Sequence, residues 1–451
     1  MSDARSRQLA AVSSALGSRR LTWMGIRGDD AQPLLALAQF SDCFSITSAL
    51  RVSALEDSVS LEQLSGYRVD LDNYDIDLDP SPAVDQFRLL LMRSLSRSSA
   101  LTTYRPSEFL SSLGFACRGS AQMLGMFKDR QRAFEHKPWV ETELARRGIR
   151  TVDWEYVPFE YRSRLLASHD GAPVVVRPSR SSGGAGMSLV HDAAELERAW
   201  QHDSTHLMAV ARYLETSVPI NVGGCVFATG DVTLHPASVQ LIGLPGYTNR
   251  RFGYCGNDFA ALHRLGGGVA VALDSSTREV GRWLSDMGFI GAFGVDYLVD
   301  EENVLFTEVN PRMQGSTRMA AELAAATDHI DLLVDNVAAF LGLPPAESLT
   351  LTDWMAELPP AAQVIKHNLK PVPAPVPPVG DLALAPGVRA RLLPDPGVRV
   401  EPGGVEYCLE VSHQVTETGF ELLADLRETG SMGPGAKRPG IPSAVPGVSL
   451  S

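Results

Sequence analysis

Residues 303–314, NVLFTEVNPRMQ, place Glu308, Asn310 and Arg312 at alternate positions of a predicted strand, so that a carboxylate, an amide and a guanidinium face one way. The preceding segment, GAFGVDYLVD at 291–300, also reads as a strand, and the polar Glu301, Glu302 and Asn303 suit a hairpin turn between them. That hairpin sets Asp296 opposite Glu308. Two carboxylates held close together, with an amide oxygen nearby, can share a hard divalent cation and through it hold polyphosphate oxygens. Magnesium and a nucleotide are the first expectation. Like charges directly across a hairpin repel, so a counter-charge between them is expected; a solvated hairpin face is the alternative.

Other cations fall upstream. Lys137 precedes Pro138 at the expected start of a helix with Val140 and Leu144 on its apolar stripe and Arg146, Arg147 and Gly148 at its end. A lysine there opposes the amide dipoles, a conflict that a nearby anion would resolve, although a solvated lysine also satisfies the pattern. Residues 172–190, APVVVRPSRSSGGAGMSLV, read as a strand, a small-residue loop and a returning strand. Ser181, Ser182, Gly183, Gly184 and Gly186 would let backbone N–H groups close over phosphate oxygens, with Arg177 aimed at the same place. A surface hairpin is the competing reading. Neither a G-x-x-x-x-G-K-[ST] nor a G-x-G-x-x-G pattern occurs here. In LMAVARYLE at 207–215 an apolar strand runs into a polar segment. There Arg212, Tyr213 and Leu214 could present backbone groups to an adenine edge, with Asn221 near a ribose; a plain buried strand is the alternative.

The elements that must carry these residues alternate. Apolar runs and helical stretches from 21 to 127 read as α/β, followed by a mixed region in which a strongly apolar helix spans 317–341. Residues 371–380, PVPAPVPPVG, suggest a stiff linker, and RARLL and GVEYCLEV beyond it suggest a small β-rich unit. The units expected are an α/β domain at 1–127, a small subdomain at 128–210, a larger one with the metal site at 211–345, a β-rich region at 346–430 and a flexible tail at 431–451. Asp75, Asp77 and Asp79 imitate a calcium loop, but Pro80 stands where glycine is needed and Gln86 where the bidentate glutamate belongs. His202 and His206 lie four apart without an accompanying carboxylate, which suits a surface pair better than zinc.

Bulk properties exclude several classes. A net charge of -13 argues against a nucleic-acid partner. Five scattered cysteines without C-x-x-C suggest reduced thiols, and neither a signal core nor an eighteen-residue apolar run occurs, so a cytoplasmic protein without a membrane partner is expected.

In their order, these segments resemble the ATP-grasp superfamily over residues 135–330, and the front resembles its pre-ATP-grasp domain. Lys137 with Gly148 is similar to the first phosphate-binding lysine and its helix, VVVRPSRSSGGAG to the second phosphate-binding strand and loop, RYLE to the adenine hinge, and GVDYL with FTEVNPRMQGS to the paired metal-binding strands. The resemblance implies two α+β subdomains gripping ATP, followed by a small C-terminal region. Lys137 and Arg177 would bind phosphates, Asp296, Glu308 and Asn310 would bind Mg²⁺ or Mn²⁺, and Arg312 would steady the transferred phosphate or a substrate carboxylate. Arg250 and Arg251 would serve the substrate side, unless one is a surface charge. Two positions depart from the pattern: arginine stands at 177 where lysine is usual, and Val210 and Ala211 stand where an acid is common. The implied chemistry is phosphorylation of a carboxylate by ATP and capture of the acyl phosphate by an amine. The chain looks most like the peptide ligase of pheganomycin-type biosynthesis, which acts on amino acid and peptide substrates, and next like the butirosin-type ligase, which loads a carrier protein. A homodimer, a non-catalytic ATP-binding regulator and a phosphotransferase complete the expectations.

Overall fold

The computed structural model describes residues 3–424 apart from 73, 98, 118, 159–160, 162–168, 170, 181–182, 200–206, 377–383, 385–386 and 392. Ser181, Ser182, His202, His206 and the tail at 431–451 therefore lie outside the described residues.

The front of the chain folds as the alternation predicts. Strands β1 (Arg20–Arg27), β2 (Phe40–Thr47), β3 (Asp57–Ser60), β5 (Ser99–Thr103) and β6 (Ala121–Leu124) form a parallel sheet in the order β3-β2-β1-β5-β6. The central β1 and β2 are buried along most of their length, as parallel strands covered on both faces are. Ligands of such sheets gather at the carboxyl ends of the strands, and β1 and β5 deliver Arg27, Tyr104 and Arg105 there. Asp77 accepts hydrogen bonds from the backbone N–H groups of Glu108 (2.7 Å) and Phe109 (3.1 Å) and pairs with Lys128 (2.6 Å), so the acidic loop caps a helix.

The small-residue loop joins two strands of a separate antiparallel sheet, β7 (Glu155–Pro158), β10 (Leu207–Arg212), β8 (Val174–Pro178) and β9 (Ser188–Val190), in that order. It has its own small core of Val174, Val176, Val190, Leu196, Met208 and Val210.

The large sheet is antiparallel and runs β16 (Asn303–Asn310), β15 (Gly291–Asp300), β11 (Val218–Val226), β13 (Ser238–Ile242), β14 (Tyr254–Asp258), β17 (Ala362–His367), β21 (Val405–Val411), β19 (Arg389–Arg391), with β12 (Val232–Leu234) paired onto β11. The strands beyond 345 thus continue the sheet that carries β15 and β16 instead of forming a sheet of their own. The physical reason is a shared core: Val364, Leu409 and Val411 pack with Leu241, Leu244 and Cys255, and the edge of β14 would otherwise be left unpaired. The short β18 (Ala374–Pro375) and β20 (Arg399–Val400) pair instead with β4 (Tyr67–Arg68) of the front domain. There the buried Arg68 is paired with the equally buried Glu62 at 2.6 Å and donates to the Val405 carbonyl at 3.1 Å.

The single apolar helix expected at 317–341 is two, Thr317–Ala326 and Leu332–Phe340. Asp328 turns the chain at φ 67, and Asp331 accepts from the N–H groups of Leu333 and Val334, so local capping overrides continuous hydrophobicity. In this break His329 lies between Glu357 (2.7 Å) and Glu347 (3.2 Å). Burial lowers the pKa of its imidazole, but the hydrogen bonds to Glu357 and Glu347 outweigh that and leave it raised. The folded state thus holds this proton more tightly than the unfolded one. The clamp contributes fully below the ordinary histidine range and is lost as pH rises through the raised value. His329→Gln should therefore lower the melting temperature at pH 6 by more than at pH 8; an equal loss at both would exclude the charged clamp. Among the described residues no helix is long and apolar enough to cross a membrane.

Candidate active site

The β15–β16 hairpin forms with Asp296 directly opposite Glu308. An extra residue, Thr307, bulges the strand between the Asp296–Glu308 and Tyr297–Phe306 pairs, and its hydroxyl donates to the Asp296 carbonyl at 2.9 Å. The face lines a cavity. Asp296 accepts from the side-chain amides of Asn221 (2.6 Å), Asn310 (3.0 Å) and Gln240 (3.1 Å). Burial and the facing Glu308 carboxylate nevertheless raise its pKa. Glu308 behaves oppositely: burial pushes it up, but Lys137, whose ammonium is 2.8 Å away, more than reverses this.

Lys137 is 6 % exposed at the start of the helix Lys137–Arg146, so the anion that its position asked for is Glu308 itself. Lys137 and Arg177 act on Glu308, and Arg312 acts on Asp296. Among the described residues no cluster of three or more Asp, Glu, His or Cys could hold a metal. Two carboxylates nevertheless fit Mg²⁺, which commonly takes one or two and completes its octahedron with phosphates and water. Asn310 turns its amide oxygen to Arg312 (3.1 Å) and its nitrogen to Asp296, so its expected role as a ligand is filled here by orienting both neighbours.

Arg177 is buried at the end of β8, ion-paired with Glu141, stacked on Trp154 at 3.7 Å and donating to the Thr307 carbonyl at 3.1 Å. Its Nε lacks a hydrogen-bond partner. Glu141 in turn accepts from Tyr156, and burial raises its pKa. The lysine-to-arginine departure thus comes with its own aromatic and acidic support, suited to a planar guanidinium.

Lys137, Arg177, Asp296, Glu308, Asn310 and Arg312 line one cavity of about 290 Å³, together with Gly183, Gly184, Arg212, Tyr213, Leu214 and Asn221. Most of the sequence-derived set is therefore gathered in one place. The buried amide of Asn221 donates to Asp296 (2.6 Å) and Gln314 (2.9 Å) and accepts from Ser316 (2.9 Å), which sets it on the carboxylate side of the cavity. Arg250 is held by Asp70 and by Asp72 (2.6 Å) and does not line this cavity, while Arg251 is exposed. Gly186 adopts φ 73 in the loop but does not line the cavity.

Sequence reasoning missed Arg27, Tyr104, Arg105, Gln240, Tyr254, Asn257 and Gln314, all of which line the cavity. Gln314 was within reach, being two residues beyond Arg312 on the same segment. The front-domain residues carry no local signal; only the position of β1 and β5 at their sheet's centre points to them. A second compartment of about 480 Å³ adjoins the first, shares Tyr104, Arg105, Lys137, Glu308, Asn310 and Arg312 with it, and opens toward Leu78, Glu108 and Arg132.

Residues 155–316 match the family model described as an ATP-grasp domain. The chain is 16 % identical to biotin carboxylase from Campylobacter jejuni, solved with an ATP analogue, and superposes with a TM-score of 0.59 over 91 % of this chain and 89 % of that one. The chain has the ATP-grasp fold. The biotin carboxylase domain of 2-oxoglutarate carboxylase from Hydrogenobacter thermophilus, solved as a dimer with MgADP, ADP and bicarbonate, shares it at a TM-score of 0.58 and 14 % identity, over 88 % and 86 % of the two chains. In sequence, a formate-dependent phosphoribosylglycinamide formyltransferase from Synechococcus is 26 % identical over 230 residues, covering 49 % of this chain and 54 % of that one. The chain thus spans about half the length of that curated relative.

Proposed function

We propose that this protein is an ATP-dependent ligase that activates a carboxylate as an acyl phosphate and joins it to an amine, forming an amide with release of ADP and phosphate. The observation that carries this reading is the Asp296–Glu308 pair facing Lys137, Arg177 and Arg312 around one cavity. ATP would supply the phosphoryl group and Mg²⁺, held by Asp296 and Glu308, would neutralise its charge. Lys137 and Arg177 provide cationic donors for phosphate oxygens, and the segment Arg212–Leu214 borders the purine end. Arg312, fixed by its bonds to the Met313 carbonyl (3.0 Å) and Asn310, presents a guanidinium to the reacting carboxylate. Gly183 and Gly184 close the cavity against water.

The size of the second compartment supports an amino acid or short peptide as substrate, since a one-carbon acid would leave it largely empty. The peptide ligase reading is preferred on that ground. Incubation with ATP, Mg²⁺ and pooled acids and amines should release ADP only with an acid, faster with its amine partner, and mass spectrometry should find an amide. Release indifferent to every amine, or a stable phosphate ester, would contradict the proposal; nucleotide binding without turnover in any mixture would favour a regulatory protein.

A further inference from the structure

Of the four arginines that line the second compartment, Arg105, Arg132, Arg180 and Arg312, the proposed chemistry uses Arg312. Arg105 follows β5 in the front domain and borders both compartments beside Arg312. Its guanidinium donates to the Tyr74 carbonyl at 2.8 Å, and among the described residues it has no ion pair. The neighbouring acids are committed elsewhere: Asp72 holds Arg250, while Asp77 and Asp75 hold Lys128 at 2.6 and 3.5 Å. Burial, and then the charge of Arg312, lower the pKa of Arg105, and of the groups facing it Tyr104, Glu135 and Asp75 act the other way. Glu135 acts on both Arg105 and Arg312. A partly buried guanidinium with no ion pair among the described residues is matched to an anion.

We infer that Arg105 grips a second anionic group of the substrate, a carboxylate or a phosphate remote from the carboxylate that is activated beside Arg312. This rests on the ligase reading for its account of Arg312. The front domain then selects the substrate while the hairpin performs the chemistry, and Arg105 determines specificity through a group that does not react. The shared compartment lets one molecule of amino-acid size reach both guanidiniums.

The test is calorimetric titration, with ADP and Mg²⁺ present, of two matched pairs: glutamate against glutamine for a carboxylate, and O-phosphoserine against serine for a phosphate. The wild type should bind the anionic member of at least one pair about ten- to a hundredfold more tightly, and the preferred pair identifies the group. Arg105→Met should abolish that preference with the melting temperature and ADP affinity unchanged, and Arg105→Lys should restore part of it. Equal binding within both pairs, a preference that survives in Arg105→Met, or no binding of any member would overturn the inference. Absence of ADP formation from every acid, with the Arg105-dependent preference intact, would reject the ligase reading and leave this site standing.

Discussion

Glu308→Gln should reduce Mg²⁺-dependent ADP formation by about 10²- to 10³-fold, the scale of losing one preorganised electrostatic group at a developing charge. The substitution keeps the shape of the side chain and removes one of the two carboxylates that face each other across β15 and β16. Lys137 then loses its partner at 2.8 Å, and Asp296 loses the charge that raises its pKa. The cation site keeps one carboxylate, so saturation should require much more Mg²⁺. The folded state should survive, because the Glu308 side chain is 25 % exposed at the cavity wall and the hairpin is held by its backbone register. Steady-state rates across a Mg²⁺ titration, with melting curves beside them, check both parts. A near-normal rate at ordinary Mg²⁺ would remove Glu308 from the metal site.

The second large effect belongs to the glycine loop. A Cβ at Gly184 would lie 1.9 Å from the Phe252 carbonyl oxygen, and the residue holds φ +73. The obstacle is backbone and cannot swing away, so Gly184→Ala should block the contact and lower kcat/KM about ten- to a hundredfold. Gly183→Ala should act in the same direction, since its Cβ would lie 2.3 Å from the Cγ of Asp72, which Arg250 holds, at φ +56. Neither should lower the melting temperature much, since the core of the small sheet lies elsewhere. This contact also gives Arg250 a role: with Asp70 it fixes Asp72, the surface on which the loop lands. If Gly184→Ala turns over normally, the docked loop is not part of the catalytic cycle.

The legible parts of the site were those encoded within one hairpin or one strand end. Alternation placed Glu308 and Asn310 on one face, whereas Arg312 lies beyond the end of β16 and the Asp296–Glu308 pairing depends on the Thr307 bulge, which alternation does not reveal. Lys137 and Arg177 were visible as charges at element ends. What stayed hidden depends on distant parts of the chain meeting. Arg105 enters through the parallel order of the front sheet, and the Asn221–Asp296 bond through antiparallel pairing of strands 75 positions apart. The continuation of the large sheet beyond 345 was hidden for the same reason: β17 and β21 look like any short strands until the edge of β14 is known to need them.

The phosphorylated carboxylate is the central intermediate of the proposed reaction. Hydroxylamine added with ATP, Mg²⁺ and the acid pool, without an amine, should trap the activated acid as its hydroxamate in step with ADP and phosphate, and Glu308→Gln should abolish all three. Formation of AMP and pyrophosphate, or ADP with a stable phosphorylated product and no hydroxamate, would contradict it.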